Sequence, residues 1–164
     1  MSQTTSPGYS LAQITLHWLI AALVLFQLVF GESMVAVVDA AEEGGTASPG
    51  DILLSGWHYW VGIAILGLVV VRLGLRLTTG ASQPRPTSLI EWAASSLHWL
   101  FYALLFMVPI SGLMTLYVNP EIGDIHSLAK PVFIVLILAH AGAALYHQFV
   151  VKDGTLRRML VPKA

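Results

Sequence analysis

Six histidines, His17, His58, His98, His126, His140 and His147, have the widest chemical reach in this 164-residue chain. Neutral imidazole ligates metal ions and porphyrin iron, and its protonation near neutral pH suits proton transfer. The chain has no cysteine, which excludes disulfides, thiolate metal sites, iron–sulfur clusters and thioether-attached haem. The histidine spacing is ordered. His126 and His140 are 14 residues apart, which at about 100° per residue returns to within about 40° of one helix face. His140 to His147 adds 7 residues and a drift of about 20°. A single helix would then carry three imidazoles on one stripe, with the first two about 21 Å apart along its axis.

The elements that must hold these residues are apolar. Hydrophobic residues make up 56% of the chain and charged residues 10%, against about 25% charged in ordinary soluble domains. Mean hydropathy is +0.75. The net charge of −1 provides no basic field for nucleic acid. Four apolar stretches, at about residues 11–31, 57–77, 89–117 and 127–151, each approach the ~20 residues that cross a bilayer as a helix. The expected fold is all-α: an integral membrane four-helix bundle forming one domain over residues 1–164. Ser10-x-x-Gln13 and Ser88-x-x-Glu91 read as capping boxes opening the first and third spans. Trp18, Trp57, Trp60, Trp92 and Trp99 fall near span ends, where indole anchors at headgroup level.

Charge sets the expected orientation. Arg72, Arg76, Arg85, Lys152, Arg157, Arg158 and Lys163 lie on one side. Glu32, Asp39, Glu42, Glu43, Asp51, Glu121 and Asp124 lie on the other, with Lys130 as its cation. The positive-inside rule makes both termini cytoplasmic and residues 32–56 an acidic, flexible periplasmic loop. Residues 78–88, with Pro84 and Pro86, form the inner linker. No cleavable signal is expected, because the N-terminus has no basic residue.

An ionisable group within hydrocarbon is costly, so six histidines there read as functional. Depth pairs them. His58 opens the second span at the outer side, level with His126; His17 lies about 10 Å into the first span from the inner side, level with His140. By depth alone His98 pairs with His140 equally well. Two imidazoles from different helices at each of two levels suit two bis-imidazole haems in a bundle core, an arrangement for electron transfer. Gly62, Gly67 and the Ala141–Ala144 run offer room for a flat macrocycle. A single four-histidine zinc or copper site fails, because its ligands must converge on one ion. Pro131, five residues after His126, predicts that the fourth span kinks there or begins after the histidine.

Several strings carry a family resemblance. Ile14-Thr15-Leu16-His17-Trp18, His58 opening its span, Val70-Val71-Arg72-Leu73-Gly74-Leu75-Arg76-Leu77, and Pro109-Ile110-Ser111-Gly112-Leu113-Met114 belong to it. So does His140 through His147, continuing from Lys152 to Met159. Together they resemble the bacterial cytochrome b561 family over all four spans. The resemblance implies a multi-pass inner-membrane cytochrome with two non-covalent b haems. His17 and His140 would be the axial ligands of the cytoplasmic-side haem, and His58 and His126 those of the periplasmic-side haem. It also implies electron exchange with ubiquinone; one branch oxidises superoxide.

Three further expectations follow. The acidic outer loop would repel superoxide and attract a cationic redox protein. Arg72 and Arg76, four apart at the inner end of the second span, either anchor to anionic lipid or pair with haem propionates. His98 and His147, left after ligation, are candidates for a quinone site that delivers protons. A different class of function is a haem-bearing anchor for a larger dehydrogenase or hydrogenase.

Overall fold

The computed structural model describes residues 8–78 and 86–162. Pro84, Arg85 and Lys163 therefore lie outside the described residues. The described chain is helical: α1 Leu11–Phe30, α2 Glu32–Glu42, α3 Pro49–Thr78, α4 Leu89–Tyr117, α5 Ile122–Ser127, α6 Ala129–Tyr146, a π-helical turn His147–Val151, and α7 Thr155–Arg158. Four stretches, Leu11–Glu42, Pro49–Thr78, Leu89–Tyr117 and Ile122–Val151, are long and apolar enough to cross a membrane. α1 packs on α3, α3 on α4, and α4 on α5 and α6. The end where α1 starts is the near end of the bundle, and the opposite one the far end.

Both capping boxes form. Ser10 Oγ accepts from the Gln13 amide at 3.3 Å while the Ser10 amide donates to Gln13 Oε1 at 3.0 Å. Ser88 and Glu91 repeat the exchange at 3.2 and 3.4 Å. Each satisfies amides that the first helical turn leaves free, worth about 1 kcal/mol per cap.

The segment 32–56 is not an open loop, which corrects the expectation drawn from its Gly, Ala, Ser and acid content. α2 continues from α1 through Gly31, whose helical φ of −62° and ψ of −27° let the chain pass almost unbroken. Gly44, at φ +72°, ends α2. The Gly45 amide donates to the Ala40 carbonyl and the Gly44 amide to the Ala41 carbonyl, at 2.8 and 3.2 Å, the pairing of a left-handed helix stop. α3 then starts at Pro49, eight residues before the expected 57. Ser48 Oγ accepts from the Asp51 amide at 3.2 Å, and Pro49 sits where a missing N–H costs nothing.

Pro131 acts as expected. A turn at Leu128 separates α5, which holds His126, from α6, and Pro131 occupies the first turn of α6, where its absent donor removes no helix bond. Pro109 lies inside α4.

The core is narrow. Val61, Ile65 and Val69 recur every fourth residue along α3 and meet Ile20 and Val24 of α1, Tyr102 of α4, and Ala129 and Phe133 of α6. Most other large apolar side chains face outward, including Val29, Leu89, Met107, Val135 and Leu138. That is inverted for water and ordinary for hydrocarbon. The five tryptophans are all exposed, and Trp18 Nε1 donates to the Met159 carbonyl at 2.8 Å, tying the tail to α1.

Candidate functional site

Two histidine groups form, one at each end of the bundle. At the far end the rings of His58 on α3 and His126 on α5 have centroids 6.0 Å apart with planes at 78°. At the near end His140 on α6 lies 6.2 Å from His17 on α1 and 5.4 Å from His98 on α4. Among the described residues no three His, Asp or Glu side chains gather tightly enough to hold one metal ion.

These separations test a bis-imidazole site. Metal–imidazole bonds run about 2.0–2.1 Å, so two imidazoles on opposite sides of one iron set their ring centroids about 6 Å apart. The 6.0 Å pair at the far end and the His17–His140 pair fit that spacing. The His98–His140 separation is shorter than that spacing; the planes of all three pairs are steeply inclined, at 63°, 78° and 86°.

The far-end rings are positioned by backbone and by glycine. His126 Nδ1–H donates to the Val108 carbonyl at 3.0 Å and lies 3.2 Å from Ser111 Oγ. With the proton on Nδ1, Nε2 carries the lone pair that a metal needs. A Cβ on Gly112 would stand 2.9 Å from His126 Cε1 and 3.2 Å from Nδ1, so glycine is needed there for space. A Cβ on Gly31 would come within 3.5 Å of His58 Cε1 and 3.6 Å of its Nδ1. Both glycines thus lie against the Cε1–Nδ1 edge of a ring. Gly62 faces the Gln27 amide. Gly67 and Gly142, also candidates for making room, meet nothing within 4 Å. Gly31 escaped the sequence reading because a glycine at a helix end reads as a stop signal. The donor set, two imidazoles about 6 Å apart with Nε2 of His126 open, fits a porphyrin iron.

At the near end His98 Nδ1–H donates to the Ala94 carbonyl at 2.7 Å, which leaves Nε2 as its free ring nitrogen. Arg72 donates to the Gln13 carbonyl at 2.9 Å and to His17 Nδ1 at 3.3 Å. Arg76 turns instead to α4, its guanidinium 5.2 Å from the Trp99 ring centre and 5.6 Å from that of Tyr102. The two arginines occupy one helix face but serve different neighbours.

His147 stands apart from the near-end cluster's ring contacts. Its Nδ1 pairs with Asp153 Oδ2 at 2.6 Å, in a clasp built on Lys152 (φ 57°) and Gly154 (φ 72°). Burial alone would raise the Asp153 carboxyl, but hydrogen bonds from Thr155 and His147 hold it at about 2. A depressed carboxylate stabilises the fold above its unfolded pKa of about 3.9 and loses that contribution as pH falls toward the folded value. The tail from Asp153 to Arg158 is therefore expected to stay protease-resistant to about pH 4 and to loosen between about pH 4 and 2. Hydrogen exchange of the Thr155–Arg158 amides across that range is the measurement, and Asp153→Asn should show the loosened state already at pH 7.

The chain is similar to known proteins along nearly its whole length. The sequence profile of the prokaryotic cytochrome b561 family matches residues 8–162. Cytochrome b562 of Cereibacter sphaeroides is 40% identical over 98% of this chain and 99% of its own. A probable superoxide oxidase, CybB, of Yersinia pestis is 30% identical over 94% and 97%. Cytochrome b561 homolog 1 of Escherichia coli K12 is 28% identical over 93% and 96%. With a match along nearly its whole length and four membrane-crossing helices, the chain belongs to the prokaryotic cytochrome b561 family, the b-type membrane cytochromes of electron transfer.

Proposed function

We propose that this protein carries electrons across the bacterial inner membrane between a periplasmic donor and ubiquinone, using two b haems. The observation that carries the reading is the pair of imidazole couples at opposite ends of the bundle, 6.0 and 6.2 Å apart. His58 and His126 would hold the far-end haem, and His17 and His140 the near-end haem. Such a group would supply a one-electron carrier, and two imidazoles holding it would leave no open position for oxygen.

The far end is acidic, carrying Glu32, Asp39, Glu42, Glu43, Asp51, Glu121 and Asp124, and the near end is basic. The positive-inside rule then makes the near end cytoplasmic. An acidic rim favours a cationic redox protein as donor, and the name of the Yersinia relative favours superoxide.

At the near end a guanidinium has only donors, so Arg72 holds His17 Nδ1 only while that nitrogen accepts. Were His17 to hold a haem through Nε2, its proton would sit on Nδ1 and Arg72 would be free to pair with a carboxylate of that group. Its charge then disfavours the oxidised state. Arg72→Gln should lower the near-end midpoint potential by the equivalent of about tenfold, about 59 mV for one electron. Arg76→Gln, whose arginine rests on Trp99 and Tyr102, should shift it far less. Redox titration of both variants is the check; equal shifts, or none, would leave both arginines to lipid.

The reading is tested by haem stoichiometry and an anaerobic visible spectrum of the purified protein. Two acid-acetone-extractable haems per chain are expected. Superoxide and a reduced cationic redox protein are offered in turn, each at low and high salt. Reduction by the protein, lost at high salt, supports the acidic docking rim; reduction by superoxide alone selects the other donor. One haem per chain, or reduced haem that soluble ubiquinone fails to reoxidise, refutes the reading.

A further inference from the structure

Gln27 on α1 and His58 on α3 meet through one hydrogen bond: Gln27 Nε2 donates to the His58 carbonyl at 2.8 Å. That bond leaves Gln27 Oε1 buried without a partner, and His58 Nδ1 is buried without one too. Buried polar atoms are almost always paired, so two orphans on touching residues call for a cause. Turning the amide over does not help, because Oε1 would then oppose the His58 carbonyl, acceptor against acceptor. The surroundings hold the two groups together. A Cβ on Gly62 would lie 3.4 Å from Gln27 Nε2, and one on Gly31 would lie 3.6 Å from His58 Nδ1. Small residues on both helices thus let the amide and the ring approach.

We propose that Gln27 is the positioning partner of His58, accepting a hydrogen bond at Oε1 from His58 Nδ1–H when Nε2 is bound to iron. The proposal rests on the assignment of His58 as an axial ligand. Ligating histidines characteristically donate their second ring N–H to an outer acceptor, which fixes the tautomer and makes the ring a stronger donor. His126 already has the Val108 carbonyl for this role. His58 has no such carbonyl contact, and the Gln27 amide oxygen is the orphan acceptor beside it. A more electron-rich imidazole stabilises the oxidised iron, so Gln27 lowers the far-end potential.

The test uses the purified holoprotein and its Gln27→Met and Gln27→Glu variants in redox titrations read by visible absorbance. Methionine keeps the length and removes the acceptor; glutamate supplies a stronger one. Both variants should retain two haems. In Gln27→Met the far-end midpoint should rise by the equivalent of about tenfold, about 59 mV for one electron. In Gln27→Glu it should fall, and the near-end midpoint should stay fixed in both. The low-spin electron paramagnetic resonance signal of the far-end haem should shift only where its midpoint shifts. His58→Ala, run alongside, separates the two readings: a far-end haem that survives it overturns the ligand assignment. If that haem is lost in His58→Ala but neither Gln27 variant moves the midpoint, or both move it the same way, Gln27 has no tuning role. Loss of the far-end haem from both Gln27 variants would likewise make Gln27 a packing residue and overturn the proposal.

Discussion

Replacing His126 with alanine is expected to halve the haem content, removing the far-end group and leaving the near-end group with its own potential. His126 sits on α5, a helix of only 6 residues that the turn at Leu128 separates from α6. So short a helix has no stability of its own; its packing on α4 fixes it, and Val108 and Ser111 of α4 orient the imidazole. Gly112, the next residue, leaves the space the ring fills. Alanine deletes one of two proposed axial ligands and leaves Val108 and Ser111 without their His126 contact. Loss of a ligand removes more than the 10–100-fold in affinity typical of losing an outer-shell partner. Haem extraction and a two-component redox titration give the answer together: one component should vanish while the other keeps its midpoint. A His126→Ala protein that binds both haems would place the far-end ligand elsewhere.

That residue also shows where sequence reasoning stopped. Counting 14 residues from His126 to His140 at a constant angular step assumes one regular helix, and the count passes a turn at Leu128, whose φ of −61° and ψ of −19° keep the chain helical. The pairing of His58 with His126 was legible all the same, because it rested on depth along the bundle, and depth survives a local turn. Both capping boxes were legible because Ser10 with Gln13 and Ser88 with Glu91 satisfy their amides within four residues. The extension of α1 into α2 was not. Glycine and acidic residues read as loop, whereas Gly31 is helical and α2 is held by packing on α3. Ser48-Pro49-Gly50-Asp51 did carry a start signal for α3, a serine cap followed by proline in the first turn; the glycines and acids around it masked that signal. The partners of Arg72 and Arg76 depended on long side chains choosing between α1 and α4, which spacing does not encode.

At the near end depth left His17 and His98 as equal partners for His140, and the two are expected to differ sharply on substitution. His17→Ala should lose the near-end haem. His98→Phe should keep both haems and slow the reoxidation of reduced protein by soluble ubiquinone several-fold. The difference follows from geometry. Both rings meet His140 edge to face; His17, at 6.2 Å, has the separation that two imidazoles sharing one iron would need, and His98, at 5.4 Å, is closer than that. His98, like His126, has its Nδ1–H on a backbone carbonyl, that of Ala94, with Nε2 open, so ring separation alone assigns the ligand. A free ring nitrogen beside an electron carrier suits the second half of quinone reduction, which consumes protons along with electrons. His147 was the other candidate for that task, and its ring is taken up by Asp153 in the tail clasp. His147→Phe should therefore loosen the tail and leave the reoxidation rate near that of the parent. Haem loss in His98→Phe with retention in His17→Ala would exchange the two assignments. Unchanged reoxidation in His98→Phe would move the quinone away from this cluster while leaving the ligand pair intact.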